Sequence, residues 1–191
     1  MNTEFSLFRY GWNYNETICG WGSTIENTKN ILQDLPIIFS TFNINSVNDA
    51  GCGDLWWIRR LKSKIDYVGY DLYKRASWNK LDFRCEELDI YKQKMRKSDL
   101  IICRDVFIHW PNEYIQKTLK LFRETSRYLY STTYTGECYE FYNDDRIEKC
   151  SIHHCKLNLC SYPFLLGKPI YITTENYRTQ CCQKLICLWE L

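Results

Sequence analysis

The chain has 191 residues, enough for one domain that buries roughly two-thirds of its unfolded surface and holds a core without staples. Its 25 basic and 23 acidic side chains nearly cancel to +2, which argues against a nucleic-acid or anionic-lipid partner held by a basic field. The N-terminus lacks the basic start and apolar run of a signal peptide, and no apolar stretch reaches the ~20 residues of a membrane span. A cytoplasmic protein without a membrane partner is therefore expected. The eleven cysteines fit a reducing compartment. Several sit in apolar runs, Cys103 in Leu-Ile-Ile-Cys and Cys187 in Leu-Ile-Cys-Leu, where a free thiol behaves as a small hydrophobe.

In chain order, a helix is expected from Ser23 to Phe39, capped by Ser23 or Thr24, with Ile31, Leu32 and Leu35 on its apolar face. Ile44 to Asp49 reads as a strand running into a glycine turn, and Asp54 to Leu61 as the opening of a helix. Asp66–Asp71 is a second strand, residues 73–79 are helical or turn-like, and Asp82 to Leu88 is a third strand ending at Asp89. Ser98–Asp105 has the continuous apolar centre of a strand buried on both faces. Pro111 starts a helix that runs to about Arg123, with Ile115, Leu119 and Phe122 on one side. Arg127 to Thr133 is a fifth strand. The alternation from 44 to 133 predicts a parallel sheet with helices on both faces. Pro169–Thr174 and Lys184–Leu191 are candidate antiparallel edge strands. One domain over 1–191 is expected, with 1–40 as a helical lid, 41–133 as the ligand-binding core and 134–191 as an insertion with the final strands.

In open parallel sheets, ligands sit beyond the carboxyl ends of the strands, where strand order reverses. Those ends carry Asp49–Gly53, Asp71, Asp89 and Arg104–Asp105. Gly51 and Gly53 permit a tight turn and close approach of backbone to ligand. The N–H groups opening the next helix would favour an anionic group. Asp71, 20 residues after Gly51, stands where a second-strand acid meets ribose hydroxyls. The dinucleotide fingerprint G-x-G-x-x-G is not met, because Trp56 occupies its third glycine position. What remains is Asp-x-Gly-x-Gly between two strands, with acids closing the second and third.

This pattern resembles the first three motifs of class I S-adenosylmethionine-dependent methyltransferases. The resemblance implies a Rossmann-like, seven-stranded, mostly parallel sheet with helices on both faces and antiparallel C-terminal edge strands. It implies S-adenosyl-L-methionine as cofactor and S-adenosyl-L-homocysteine as product. By resemblance, Asp49, Gly51 and Gly53 take the methionine part, Asp71 the ribose and Asp89 the adenine, with Cys52, Leu72, Ile90 and Arg104 completing the cofactor contacts. One departure is Leu55, where many members carry a third glycine. A bacterial and viral subgroup, several of its members encoded near glycan genes, is similar over nearly the whole chain. The similarity runs through Gly22–Thr28, Asp49–Asp54 with Trp57, Tyr67–Asp71, Leu100–Asp105 with His109, Leu157–Leu159 before Pro163-Phe164, and Leu188–Leu191.

Methyl transfer to oxygen needs alignment of the reacting atoms and a base for the acceptor proton. Asp105 and His109 lie just past the fourth strand, where an acceptor would sit. His109 has the natural pKa for the base, while Asp105 either orients it or binds the acceptor directly. Arg104-Asp105 also reads as a structural ion pair, and His109 as a capping or core histidine. Gly20–Asn27 is either a capped helix start or a lid whose Trp21, Ser23 and Asn27 touch substrate; Trp57 is either core or a substrate platform. Cys150, His153, His154 and Cys155, with Cys160 beyond, have tolerable zinc spacing, but the matching C-x-x-C pair is missing and Cys181-Cys182 does not replace it, so no metal is expected. The expected activity is O-methylation of a sugar, nucleotide sugar or other small polar acceptor. The alternatives are methylation of a modified nucleobase in DNA or RNA, or an inactive binding module of the same fold. The oligomeric state, a homodimer included, is open.

Overall fold

Leu100, Ile101, Ile102 and Cys103 are all fully buried, as a strand covered on both faces requires. That strand, β4 (Ser98–Cys103), lies at the centre of the sheet in a computed structural model that describes residues 16–80, 83–135, 156–178 and 182–191. The other strands are β1 (Ser46–Ala50), β2 (Asp66–Asp71), β3 (Arg84–Glu87), β5 (Ser126–Thr135), β6 (Tyr171–Arg178) and β7 (Gln183–Glu190). They form a seven-stranded sheet in the order β3-β2-β1-β4-β5-β7-β6. Strands β1 to β5 pair in parallel, whereas β7 runs antiparallel to both β5 and β6. Strand order reverses between β1 and β4, so the crevice for a ligand opens at their carboxyl ends.

The period-two alternation of the central strands sorts the core into two layers. On one face Ile31, Leu35 and Ile38 of helix α1 (Ile25–Thr41) pack on Val47, Leu100, Ile102, Tyr130, Ile186 and Leu188. On the other, Ile115, Leu119 and Phe122 of helix α2 (Asn112–Thr125) pack on Ala50, Val68, Ile101, Leu129, Cys187 and Trp189. Among the described residues, no helix is long and apolar enough to cross a membrane.

The sequence expectation fails at two places in this frame. Residues 54–61 do not open an α-helix; only a single 3₁₀ turn, Ile58–Arg60, forms there. The reason is Leu55, whose φ of +62° lies in the left-handed region and stops a right-handed helix from starting. It is held there by burial, at 0% exposure. The cap of α1 also differs. Thr24 occupies the N-cap position without a capping hydrogen bond, and the carboxylate of Glu16 accepts the Ile25 N–H instead at 3.1 Å. The Thr24 hydroxyl is taken by the Asn27 amide at 2.8 Å. The candidate metal ligands Cys150, His153, His154 and Cys155 lie outside the described residues; Cys160 is half-buried and Cys182 buried.

Candidate functional site

The glycine turn leaves β1 and leans over β2. The Gly51 and Cys52 N–H groups both donate to the Tyr70 carbonyl, at 2.8 and 3.0 Å. Gly51 has φ +87° and Gly53 φ +58°. A Cβ on Gly51 would lie 2.3 Å from Val106 Cγ2, and one on Gly53 2.4 Å from Cys19 Sγ. Both glycines are therefore required by backbone conformation and by neighbouring side chains. Beneath the turn, Asp49 is buried and accepts the Tyr67 hydroxyl at 2.7 Å. Burial pushes its carboxyl up to about 7, more strongly than the Tyr67 hydrogen bond pulls it down.

Asp71 ends β2 and reaches back to the turn, accepting the Gly53 N–H at 2.9 Å. Its second oxygen faces the Tyr73 N–H at 3.4 Å and Arg75 at 4.0 Å. Burial raises its pKa against these partners. The Gly53 carbonyl accepts the Trp78 indole N–H at 2.8 Å, so the N–H of Gly53 is held by the end of β2 and its carbonyl by a residue beyond it. Leu72, the next residue along, is exposed. The Leu88 N–H donates to the Asp71 carbonyl at 2.9 Å, which ties the ends of β2 and β3 together and places Asp89 one residue further. Asp89 makes local contacts, to the Tyr91 N–H at 3.1 Å and the Lys92 ammonium at 2.9 Å, while Ile90 is buried beside it. Cys52 is buried under the turn, and Trp57 packs in the core layer with Leu55, Ile58 and Trp78.

At the end of β4 the chain gathers four charges. Arg104 pairs with Glu175 of β6 at 2.8 Å and with Asp105 at 3.3 Å. Lys184 of β7 reaches both acids at 2.7 Å. Asp105 has φ +56°; the Thr132 hydroxyl donates to its Oδ1 and accepts its backbone N–H, both at 2.9 Å. Burial alone would raise the Asp105 pKa, but Arg104 and Lys184 outweigh it and hold the carboxyl well below the usual range. Asp105 is thus ionised. His109 closes the 3₁₀ turn Phe107–His109 and is half-buried. Sequence reasoning found Arg104 and Asp105 but missed Thr132, Glu175, Lys184 and Trp78. No local pattern announces partners that lie 71 and 79 residues away in the chain.

A strap formed by residues 16–23 crosses this region. The Thr17 hydroxyl and Ile18 N–H donate to the Asp54 carboxylate at 2.8 and 3.0 Å, and the Asp54 N–H points to Cys19 Sγ at 3.3 Å. At the other end Arg104 donates to the Gly22 carbonyl at 2.5 Å, and a Cβ on Gly22 would lie 2.9 Å from Asp105 Oδ2. Trp21 is half exposed on the strap; Ser23 donates its N–H to the Gly20 carbonyl. Asn27 is buried and bonds the Trp21 carbonyl at 2.9 Å, folding the strap onto α1. The structure thus brings Trp21, Ser23, Asn27, Gly51, Gly53, Arg104 and Asp105 to one end of the sheet, and leaves Trp57 in the core.

No family model matches the sequence, and no curated protein does. The chain is nevertheless similar in structure to the N-methyltransferase NodS from Bradyrhizobium japonicum WM9 in complex with S-adenosylhomocysteine. The TM-score is 0.69 at 13% identity, covering 100% of this chain and 98% of that one. The fold is that of class I methyltransferases. An S-adenosylmethionine-dependent methyltransferase from Clostridium acetobutylicum superposes with a TM-score of 0.62 at 13% identity, over 85% of this chain and 91% of that one. Magnesium protoporphyrin IX methyltransferase from Synechocystis, also with bound S-adenosylhomocysteine, gives 0.58 at 16% identity over 86% of each chain. The class I methyltransferase fold explains the strand order and the antiparallel β7.

Proposed function

We propose that the chain is an S-adenosylmethionine-dependent methyltransferase acting on a hydroxyl of a sugar, nucleotide sugar or other small polar acceptor. The observation that carries this reading is Asp71, an acid at the end of β2 hydrogen-bonded to the Gly53 N–H of a turn whose glycines admit no side chain. That donor set suits a nucleoside with an amino-acid tail: an acid for ribose hydroxyls, and bare backbone for the methionine part. Asp49, Gly51, Cys52 and Gly53 are proposed to hold the methionine part, Asp71 and Leu72 the ribose, and Asp89 and Ile90 the adenine. When bound, the cofactor supplies an electrophilic methyl group. The chain's own task is then to align an acceptor oxygen, exclude water and receive one proton.

His109 is assigned as the base, since Asp105 is held ionised by Arg104 and Lys184 at a pKa too low for efficient proton abstraction near neutrality. The strap bearing Trp21 and Ser23 is proposed to cover the acceptor. The sugar preference itself rests on the subgroup resemblance. Its test is transfer of labelled methyl from S-adenosylmethionine to a panel of nucleotide sugars and free glycans. Methylation of at least one panel member is expected; a folded, cofactor-binding protein that methylates none would overturn the sugar assignment.

A further inference from the structure

Gly69 stands inside β2, where a glycine forfeits the packing of a side chain and marks a close approach. What approaches is a pair of sulfurs. A Cβ on Gly69 would lie 2.8 Å from Cys52 Sγ and 3.2 Å from Cys85 Sγ, so the two thiols share the space that a side chain would fill. Gly69 pairs with Cys85 in the register of β2 and β3, which sets Cys85 on the face of the sheet that Gly69 leaves bare. Cys52 reaches the same spot from the glycine turn, its N–H anchored on the Tyr70 carbonyl at 3.0 Å. Cys52 is buried, and Cys85 is half-buried at the margin of the same core layer.

The two thiols are unequal. Burial pushes Cys19 and Cys187 up to about 12 and raises Cys52 as well. Cys85 moves the other way, because its hydrogen bond with Cys52 favours the thiolate and outweighs its partial burial. A half-exposed sulfur inclined to ionise thus stands beside a buried one placed to resolve it, the arrangement of a redox-sensitive pair.

We propose that Cys52 and Cys85 form a site of reversible oxidation by a hydroperoxide, closing to a disulfide that displaces the glycine turn. First the Cys85 thiolate attacks one oxygen of the peroxide: an S–O bond forms, the O–O bond breaks, and the leaving hydroxide takes up a proton as water. Then the Cys52 sulfur displaces the hydroxyl of the Cys85 sulfenic acid: the S–S bond forms, the S–O bond breaks, and hydroxide leaves with the Cys52 proton as a second water. Two thiols lose two electrons, and the peroxide is reduced by the same two. A dithiol reductant returns both thiols by exchange. Closing the bond draws the sulfurs together from non-bonded contact, and Cys52 is flanked by Gly51 and Gly53, so the movement falls on the turn. Its effect on ligand affinity rests on the cofactor reading above; the bond itself does not.

The test treats the reduced full chain with stoichiometric hydrogen peroxide, maps its cysteines by peptide mass spectrometry, and titrates S-adenosylhomocysteine by calorimetry. A peptide pair joined through Cys52 and Cys85 is expected, with affinity weakened at least about fivefold, both reversed by dithiothreitol. Cys85→Ala and Cys85→Ser are each expected to bind within about twofold of reduced wild type and to keep that affinity after peroxide. Peroxide that leaves the two residues as thiols, that carries Cys85 to a sulfinic acid without joining Cys52, or that joins them with no change in affinity overturns the proposal. So does a folded Cys85 variant that loses affinity to peroxide as wild type does. A chain that forms the Cys52–Cys85 bond but binds no S-adenosylhomocysteine when reduced supports the oxidation site and overturns the cofactor reading instead.

Discussion

Gly51→Ala isolates the constraint on the cofactor turn. At φ +87° an alanine would sit in the left-handed region, at a cost of roughly 1–2 kcal/mol. Its Cβ would also lie 2.3 Å from Val106 Cγ2, well inside any real contact. Overpacking of that kind adds ~1–3 kcal/mol, so the substitution is expected to cost about 2–5 kcal/mol in all. For a chain of this length that corresponds to a fall in Tm on the order of 10 °C. Val106→Ala removes the colliding methyl and leaves only the backbone cost. In the double variant the two changes should therefore couple favourably by about 1–3 kcal/mol, measured as a double-mutant cycle from urea unfolding. A Gly51→Ala protein within ~0.5 kcal/mol of wild type would refute the steric reasoning, as would a double variant whose losses simply add.

Other substitutions separate binding from chemistry. Asp71→Ala removes the acceptor of the Gly53 N–H and should weaken cofactor binding at least about tenfold by calorimetry; unchanged affinity removes Asp71 from the site. His109→Ala should slow methyl transfer by about 10²–10⁴-fold with cofactor affinity nearly intact, and normal turnover refutes its role as base. Asp49 gives a pH signature. Its carboxyl is pushed up to about 7 by burial, so the folded state holds a proton that the unfolded chain releases near pH 4. Its contribution to stability is therefore greatest in acid and is lost as pH rises from about 4 through about 7. Asp49→Asn should flatten the decline in urea stability between about pH 5 and about pH 8, and an unaltered slope would contradict the assignment.

Much of this was legible in the sequence where burial imposes a pattern. Leu100-Ile-Ile-Cys103 and Tyr67-Val-Gly-Tyr70 read as strands because both faces are covered, and the period of Ile115, Leu119 and Phe122 gave α2 its core face. The glycine turn and Asp71 were visible because their conformations and spacing are local. The absent helix after β1 was not, since nothing in the residues around Leu55 declares a left-handed backbone; tertiary burial of its side chain decides it. Nor was the cluster of four charges at the end of β4. Arg104 and Asp105 are adjacent, but Glu175 and Lys184 arrive through the antiparallel pairing of β6 and β7, a long-range event with no signature in either segment. Trp57 reads from sequence more readily as core than as a ligand platform, and the packing of Leu55, Ile58 and Trp78 around it places it in the core.

The most direct test of the account is calorimetric titration of the folded chain with S-adenosylhomocysteine. Saturable one-to-one binding that Asp71→Ala weakens is expected. Folded protein that shows no saturable heat at about millimolar ligand, an affinity below roughly −4 kcal/mol in strength, would contradict it.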